Sequence, residues 1–189
     1  MRRGRWMPAV ALAALMLCGC GDRNLILYVN VLSFLDPSAT QASFGPVIAV
    51  PGGIATGEQP MIDDQEIVLL EGLSGAVEVR SVSIRVSTIV EDSTGSGSDT
   101  LRLYLSDSGT APRTTPPVLV QAFTLQPGVA DTLAAEIGAD PRVAALFAQR
   151  RMRASLTNSL RGPSSGDDLN ARVRVHALDA VVVTGRDVP

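Results

Sequence analysis

Residue types that could carry out acid–base or nucleophilic chemistry are scarce in this sequence, which contains a single histidine. His176 would be the only base available to a serine nucleophile, and one histidine cannot form a multi-histidine metal site. It shares strand parity with Arg172 and Arg174, so the alternation predicts a solvent-facing strand position. No nucleophile elbow, S-x-x-K motif or phosphate-binding loop is present. We therefore predict a non-catalytic protein without a cofactor, and an enzyme of an unrecognised type is the remaining alternative.

Carboxylates are the second group of side chains with chemical potential. Glu91, Asp92 and Asp99 flank one polar stretch, and Asp167 and Asp168 lie in another. Calcium requires about six to eight oxygen ligands held together, and neither stretch has the spacing of a calcium-binding loop. These side chains are therefore predicted to be solvated loop tips that bind no metal. An acid pair formed by carboxylates distant in sequence stays open as an alternative.

Composition argues against two kinds of ligand. All 16 basic residues are arginines, and 19 acidic residues outnumber them, which gives a net charge of −3. Without a basic excess the chain is not expected to bind nucleic acid. The one tryptophan, Trp6, lies in the N-terminal segment, and aromatic residues make up 4% of the chain. A carbohydrate site built from exposed aromatic rings is therefore not expected.

The N-terminal segment has the layout of an export signal. Arg2, Arg3 and Arg5 precede an uninterrupted apolar run over residues 9–17. This run is shorter than the ~20 apolar residues that a transmembrane helix needs. Nothing in a buried core helix would require three arginines at one end. The segment therefore predicts secretion, by the general route rather than by the twin-arginine route.

The apolar run ends in the sequence Leu17-Cys18-Gly19-Cys20. This ending resembles the lipobox of bacterial lipoproteins, in which an apolar residue and small residues precede an invariant cysteine. The resemblance implies cleavage after Gly19, diacylglycerol on the sulfur of Cys20 and usually acylation of the new amino terminus. Cys18 is the alternative lipid site, disfavoured because the residues before it, Met16 and Leu17, are large. The resemblance also implies the bacterial cell envelope, with the periplasmic side of the outer membrane as the expected location.

The predicted cleavage divides the chain into three parts. Residues 1–19 form the signal peptide, residues 20–23 a short lipidated tether, and residues 24–189 a single domain. Cleavage removes three of the 16 arginines and none of the 19 acidic residues, which leaves a formal side-chain charge of −6. An acidic domain is not attracted to an anionic bilayer, so the lipid on Cys20 must hold the protein on the membrane.

The pattern of apolar residues predicts mainly β structure. Residues 24–35 form a nearly continuous apolar run, predicted to be a central strand buried on both faces, with a buried helix as the alternative. Residues 77–90 alternate as a strand and are predicted to form a hairpin with residues 101–105, across a polar loop at 91–100.

Two slips in the alternation predict β-bulges, one at Arg80-Ser81 and one near Ala177-Leu178. The pair Asp140-Pro141 predicts the start of a helix, with an N-cap followed by a proline. The whole chain is expected to contain seven to nine strands and one or two short helices. We therefore predict an antiparallel β-sandwich, either immunoglobulin-like or jelly-roll-like.

Residues 36–60 are rich in proline, glycine, serine and threonine, and they separate two predicted strands. A connection this long is either a functional loop or a crossover between the two sheets, and the crossover is favoured. Phe44, Val47 and Ile48 make part of it apolar, which identifies them as a possible interaction loop. The alternative for these three side chains is that they cap the end of the core.

These observations predict a lipid-anchored, non-catalytic envelope lipoprotein whose β-sandwich is an interaction or structural module. Its expected partners are the membrane, through the lipid on Cys20, and a protein of the envelope. The alternative is a lipoprotein that carries a small apolar ligand between its two sheets, since the many aliphatic side chains would suit a ligand cavity as well as a dry core.

Overall fold

The computed structural model describes residues 25–34, 40–68, 78–128, 131–149, 151–162 and 166–185. Within these ranges the chain forms nine strands in two antiparallel sheets, together with one α-helix. The strands are β1 (Leu25–Asn30), β2 (Gln41–Val47), β3 (Gln59–Val68), β4 (Glu78–Thr94), β5 (Gly97–Asp107), β6 (Leu119–Leu125), β7 (Asp131–Ile137), β8 (Arg151–Arg161) and β9 (Leu169–Gly185). The helix is α1 (Pro141–Phe147), and 3₁₀ turns span Val31–Phe34 and Pro112–Thr114. The predicted antiparallel β-sandwich is confirmed.

The first sheet is organised around β9, which is 17 residues long. On one side β9 pairs with β4, and β4 pairs in turn with β7. On its other side β9 pairs with β2 over its first residues and with β1 over its last residues. β1 and β2 therefore form one interrupted edge of this sheet. The second sheet has the order β3-β8-β5-β6.

The core lies between the two sheets, because alternate residues of each strand point inward. Leu156 and Leu160 of β8 and Val173 and Val182 of β9 are buried in one apolar cluster to which both sheets contribute. Phe147 of the short helix α1 belongs to the same cluster. Burial of aliphatic side chains from both sheets is what holds the sheets face to face.

The predicted helix start and both predicted bulges are confirmed. Asp140 is the N-cap of α1, since its side chain accepts the backbone N–H of Arg142, and Pro141 follows it. Arg80 is the extra residue at the first register shift between β4 and β9. His176 is the extra residue at a second shift in the same pairing, one position before the predicted slip.

The prediction of a buried central strand at residues 24–35 is wrong. β1 is a six-residue strand at the edge of the first sheet, and the 3₁₀ turn Val31–Phe34 follows it. Only one of its faces packs on the core, through Leu27 and Val29. The run looks continuously apolar because Ile26 and Tyr28, which face solvent, are also apolar.

The predicted hairpin between residues 77–90 and 101–105 is also wrong. β4 belongs to the first sheet and β5 to the second, and the short turn Gly95-Ser96 carries the chain from one sheet to the other. The polar stretch at 91–100 is not a loop, because most of its residues extend these two strands. Alternation locates strands but does not tell which partner each strand pairs with.

Residues 36–60 do cross from the first sheet to the second, as the favoured interpretation predicted. They contain the strand β2 at Gln41–Val47, and β3 begins at Gln59. Among the described residues, no helix combines the length and the apolar composition needed to span a bilayer.

Candidate functional site

The first sheet has two ends, defined by the pairing of β9. At the proximal end the last residues of β9 pair with Leu25 and Glu78, where β1 and β4 begin. At the distal end the first residues of β9 pair with Val47 and Thr94, where β2 and β4 end. With 17 residues in β9 and a rise of about 3.3 Å per residue, the two ends lie about 50 Å apart.

Three connections meet at the distal end and form what we call the distal loop cluster. They are the crossover segment 48–57 between β2 and β3, the turn Gly95-Ser96 between β4 and β5, and residues 166–168 before β9. The end of β8, at Arg161 and Gly162, lies beside them.

The crossover segment is bound to the end of β8 by backbone hydrogen bonds. Thr56 donates its N–H to the carbonyl of Leu160 at 2.7 Å, and the side-chain oxygen of Thr56 accepts the N–H of Leu160 at 3.0 Å. Gly162 donates its N–H to the carbonyl of Ile54 at 2.8 Å. This reciprocal pairing fixes the second half of the segment as an additional short strand edge.

A glycine turn shapes the first half of the crossover segment. Gly53 donates its N–H to the carbonyl of Val50 at 2.8 Å, and Gly52 and Gly53 have φ angles of +88° and +67°. A Cβ on Gly53 would lie 2.8 Å from the carbonyl oxygen of Gly162, so the close approach also requires glycine. The guanidinium of Arg161 donates to the carbonyl of Gly52 at 2.8 Å, which holds the turn against β8.

Asp168 joins the three connections. Its carboxylate accepts the N–H of Ala49 at 2.9 Å, and its carbonyl accepts the hydroxyl of Thr94 at 3.5 Å. Gly95 has a φ angle of +71°, and a Cβ there would lie 2.6 Å from the carbonyl of Asp167 and 2.7 Å from that of Asp168. Asp168 is exposed outside the strands, as predicted, and its carboxylate also accepts a structural hydrogen bond that the sequence did not indicate.

The far end of the crossover segment is fixed by Glu58. Its carboxylate accepts the hydroxyl of Tyr104 at 2.9 Å and that of Thr157 at 3.2 Å. The guanidinium Nε of Arg102 lies 3.3 Å from the same carboxylate. Burial and the hydrogen bond to Glu58 raise the pKa of Tyr104 above its ordinary value. Both ends of the segment are thus attached to the sandwich through carboxylates.

The structure separates the three residues predicted to form an interaction loop. Val47 is buried in the core at the end of β2, so the expectation that it is available to a partner is wrong. Phe44 pairs with Ala171 within β2, and its side chain lies outside the described residues. Ile48 is 59% exposed, and Ile54 in the same segment is 49% exposed. Among the described side chains of this region, Ile48 and Ile54 are the large apolar ones that are exposed.

A buried acid lies directly inside the distal end. Asp99 is fully buried on β5, opposite Leu160, and accepts a hydrogen bond from the side-chain amide of Asn158 on β8. Burial raises its pKa from 3.8 to about 6, against the opposing effect of that hydrogen bond. The prediction that Asp99 is a solvated loop residue is wrong, because Asp99 has the same strand parity as the buried leucines of β5.

The buried polar pair is incompletely satisfied within the described part of the chain. The second carboxylate oxygen of Asp99 and the side-chain oxygen of Asn158 have no hydrogen-bond partner there, and neither has the hydroxyl of buried Thr88 on β4. Unsatisfied buried acceptors favour a protonated carboxyl, which can donate a hydrogen bond. Asp99 is therefore a position at which the core loses stability when the carboxyl ionises.

Among the described residues, the other side chains that the sequence identified do not form a catalytic or metal-binding cluster. His176 is exposed on the outer face of β9. In the ranges that the structure describes, no three His, Cys, Asp or Glu side chains come together as a metal site. Cys20, the predicted lipid site, and the side chains of Glu91 and Asp92 lie outside the described residues.

No protein-family model and no curated protein matches the chain. Among solved structures, the T=1 particles derived from infectious bursal virus are similar to it, with a TM-score of 0.43, 15% identity and coverage of 97% of this chain and 41% of that one. The VP2 subviral particle of infectious bursal disease virus is similar at a TM-score of 0.43 and 16% identity, with coverage of 97% and 42%. The chain thus spans about two-fifths of the length of these two structures.

Proposed function

We propose that the protein is a lipid-anchored, non-catalytic lipoprotein of the bacterial envelope that presents its distal loop cluster to a protein partner. The observation that carries this proposal is the exposure of Ile48 and Ile54 on a backbone segment that is hydrogen-bonded at both ends. The two isoleucine side chains present apolar surface to the solvent. A partner that buried this surface would gain about 25 cal/mol of binding free energy for each Å².

Rigidity supports a binding role for the crossover segment. Ordering a flexible loop on binding costs conformational entropy, and a loop that is already ordered avoids most of this cost. The turn at Gly52-Gly53, the contacts of Asp168 and the pairing with β8 order the segment before any partner arrives. Binding residues are commonly found on loops that a rigid scaffold positions in this way.

The proposed anchor is the lipid on Cys20, with the protein on the periplasmic side of the outer membrane. Two or three acyl chains hold a protein stably on a bilayer, at about 0.8 kcal/mol for each buried methylene. The lipobox-like sequence supports this anchor. After loss of three arginines the formal side-chain charge is −6, so electrostatic attraction to anionic headgroups does not contribute to membrane binding.

The interior favours the module over the carrier of an apolar ligand. Large side chains of both sheets are fully buried between them and form one continuous cluster, as Leu103, Leu156 and Val86 do. Close packing of this kind stabilises a sandwich without a ligand. Among the described residues, the large exposed apolar side chains lie outside this core: Ile26, Tyr28, Ile48 and Ile54 at the ends of the first sheet and Val120 on β6 of the second.

Metabolic labelling tests the anchor. Cells expressing the protein are labelled with an alkyne fatty acid, and the purified protein is probed for the tag. We expect Cys20→Ser to abolish labelling, while Cys18→Ser, the matched control, retains it. Labelling that survives in Cys20→Ser and is lost in Cys18→Ser would move the lipid to Cys18, and absence of label from the wild type would contradict the anchor altogether.

Photo-crosslinking in intact cells tests the interaction role. A photoreactive amino acid is placed at position 48, at position 54, or at position 120, where Val120 is 54% exposed on β6 of the other sheet. We expect discrete adducts from positions 48 and 54 and none from position 120. The variant Ile48→Ser/Ile54→Ser should lose its co-purified partner while keeping the circular dichroism spectrum of the wild type. Equal adducts at all three positions would contradict the proposal.

A further inference from the structure

An apolar patch lies on the outer face of the first sheet at its proximal end. Ile26 and Tyr28 on β1 are 53% and 82% exposed. In the pairing of β1 with β9, Ile26 lies opposite Val183 and Tyr28 lies opposite Val181. Directly opposed side chains on one sheet face have Cβ atoms about 5 Å apart, so the four residues form one continuous surface. We call Ile26, Tyr28, Val181 and Val183 the proximal patch.

The proximal patch differs from the rest of the same sheet face. Toward the distal end, the outward residues of β9 are His176, Arg174 and Arg172, all of them exposed. On β4 the outward neighbours of the patch are Ser81 and Ser83, which pair with Val183 and Val181. Polar residues are the ordinary composition of a solvated sheet face. Toward the distal end this face is thus mainly polar, with Ile89 of β4 half-buried opposite Arg174, whereas the four residues at the end where β1 begins are all apolar.

The sequence brings this end of the sheet close to the predicted lipid. Five peptide steps separate Cys20 from Leu25, the first residue of β1, and they span at most about 18 Å. A bilayer that holds the lipid of Cys20 therefore lies within reach of the proximal patch. Tyrosine is enriched where its ring can lie among the headgroups with its hydroxyl toward water.

We propose that the proximal patch docks against the lipid bilayer that holds Cys20, with Ile26 and Tyr28 inserted shallowly at the interface. This inference rests on the proposed lipid anchor, and it adds a second contact that orients the domain. Charged residues at this end are of both signs, with Glu78 and Arg80 exposed and Asp179 half-buried. Apolar burial rather than attraction to anionic headgroups is therefore the source of the docking.

The docking is tested with a single tryptophan, because the only tryptophan of the chain, Trp6, precedes the proposed cleavage site. The full-length gene carrying Tyr28→Trp is expressed, and the mature acylated protein is reconstituted in vesicles of zwitterionic lipid. Val120→Trp, on an edge strand of the other sheet, is the matched control. Emission is measured with ordinary lipids and with lipids brominated high on the acyl chains.

We expect brominated lipid to lower the Tyr28→Trp emission roughly twofold, because an interfacial side chain buried about 5–10 Å deep contacts the upper acyl chain. The Val120→Trp emission should not change. Acylated, vesicle-bound Tyr28→Trp protein without quenching would overturn the docking and leave the anchor intact. A blue-shifted emission that is insensitive to bromine would instead show that protein covers the patch, which also overturns it. Mature protein without an acyl mass would overturn the anchor and the docking together.

Discussion

The proximal and distal ends of the first sheet expose apolar side chains in two different ways. At the proximal end, Ile26 and Tyr28 project from a regular strand, so their surface is flat and continuous with β9. At the distal end, Ile48 and Ile54 project from an irregular segment that hydrogen bonds hold in place. A flat surface is complementary to a bilayer, whereas a shaped, rigid protrusion is complementary to a pocket or groove in a protein. This difference in shape is the basis for proposing a bilayer as the partner of the proximal end and a protein as the partner of the distal end.

We expect the largest loss in the free energy of unfolding when a side chain is introduced at Gly95, at the distal end. Gly95→Ala places a methyl group against two backbone carbonyls at a φ angle of +71°, so we expect a loss of about 3–5 kcal/mol from strain and steric overlap together. Gly128→Ala is the control, because Gly128 has a φ angle of +70° but nothing within 4 Å of its Cβ position. It should lose about 1 kcal/mol in urea unfolding. Equal losses would show that the packing of Asp167 and Asp168 on Gly95 contributes nothing.

Protonation of Asp99 is the next largest effect, and it acts just inside the distal end. The folded-state pKa is raised from 3.8 to about 6, so the folded protein holds this proton over a range in which the unfolded chain releases it. Stability from this group is therefore greatest below about pH 4 and falls as pH rises to about 6, by about 3 kcal/mol in all. Asp99→Asn should remove this dependence and raise the free energy of unfolding at pH 7.5.

The control for that measurement is Asp107→Asn, an exposed position at the end of the same strand. It should not reproduce the increase in the free energy of unfolding at pH 7.5 that Asp99→Asn is expected to give. Asp99→Asn protein that is less stable than the wild type at pH 7.5 would contradict the account of an ionised, destabilising carboxylate.

A smaller loss of stability distinguishes the local rigidity of the crossover segment from the stability of the whole fold. Asp168→Ala removes the acceptor of the Ala49 N–H and should cost about 1 kcal/mol. Because the rest of the segment keeps its pairing with β8, hydrogen exchange at the Ala49 amide should accelerate more than exchange in the core strands. Asp167→Ala, an exposed neighbour, is the control and should change neither quantity. Uniform acceleration throughout the protein would show that Asp168 stabilises the whole fold rather than this segment.

The smallest effect is expected at His176, midway between the two ends. His176 is exposed at a bulge of β9, so His176→Ala should change the free energy of unfolding by less than about 0.5 kcal/mol. Thermal unfolding followed by circular dichroism checks this. A shift of ten degrees or more in the melting temperature, which corresponds to about 3 kcal/mol or more, would mean that the side chain has a structural partner.

The local features of this fold were predictable from the sequence, because they depend on neighbouring residues. The cap at Asp140 and the two bulges of the long strands follow from short-range patterns. The failures concern contacts between distant residues. The polar stretch that joins β4 to β5 has the composition of a hairpin loop, and nothing local indicates that its two strands enter different sheets.

The candidate site was only partly predictable for the same reason. Ile48 was identified from the composition of the crossover, but Val47 beside it is buried, since β2 pairs with β9 up to that residue. A signal for the buried pair did exist. Asp99 has the parity of Leu101 and Leu103 on β5, and Asn158 alternates with the leucines of β8. Recognising them as partners requires the pairing of β5 with β8, which is non-local.

The proposed orientation places the proximal end next to the bilayer and the distal end away from it. Fluorescence resonance energy transfer from each end to the bilayer tests this orientation most directly. In the proposed mature protein, in which Cys18 is removed with the signal peptide and Cys20 carries the lipid, an introduced cysteine would be the only free thiol, since the sequence has no other cysteine. A donor dye is attached at Glu78→Cys, at the proximal end, or at Ile48→Cys, at the distal end, and the acceptor is a headgroup-labelled lipid in the vesicle. Efficient transfer from position 78 and weak transfer from position 48 are expected, because the ends lie about 50 Å apart. Equal transfer from both positions, or stronger transfer from position 48, would contradict the account.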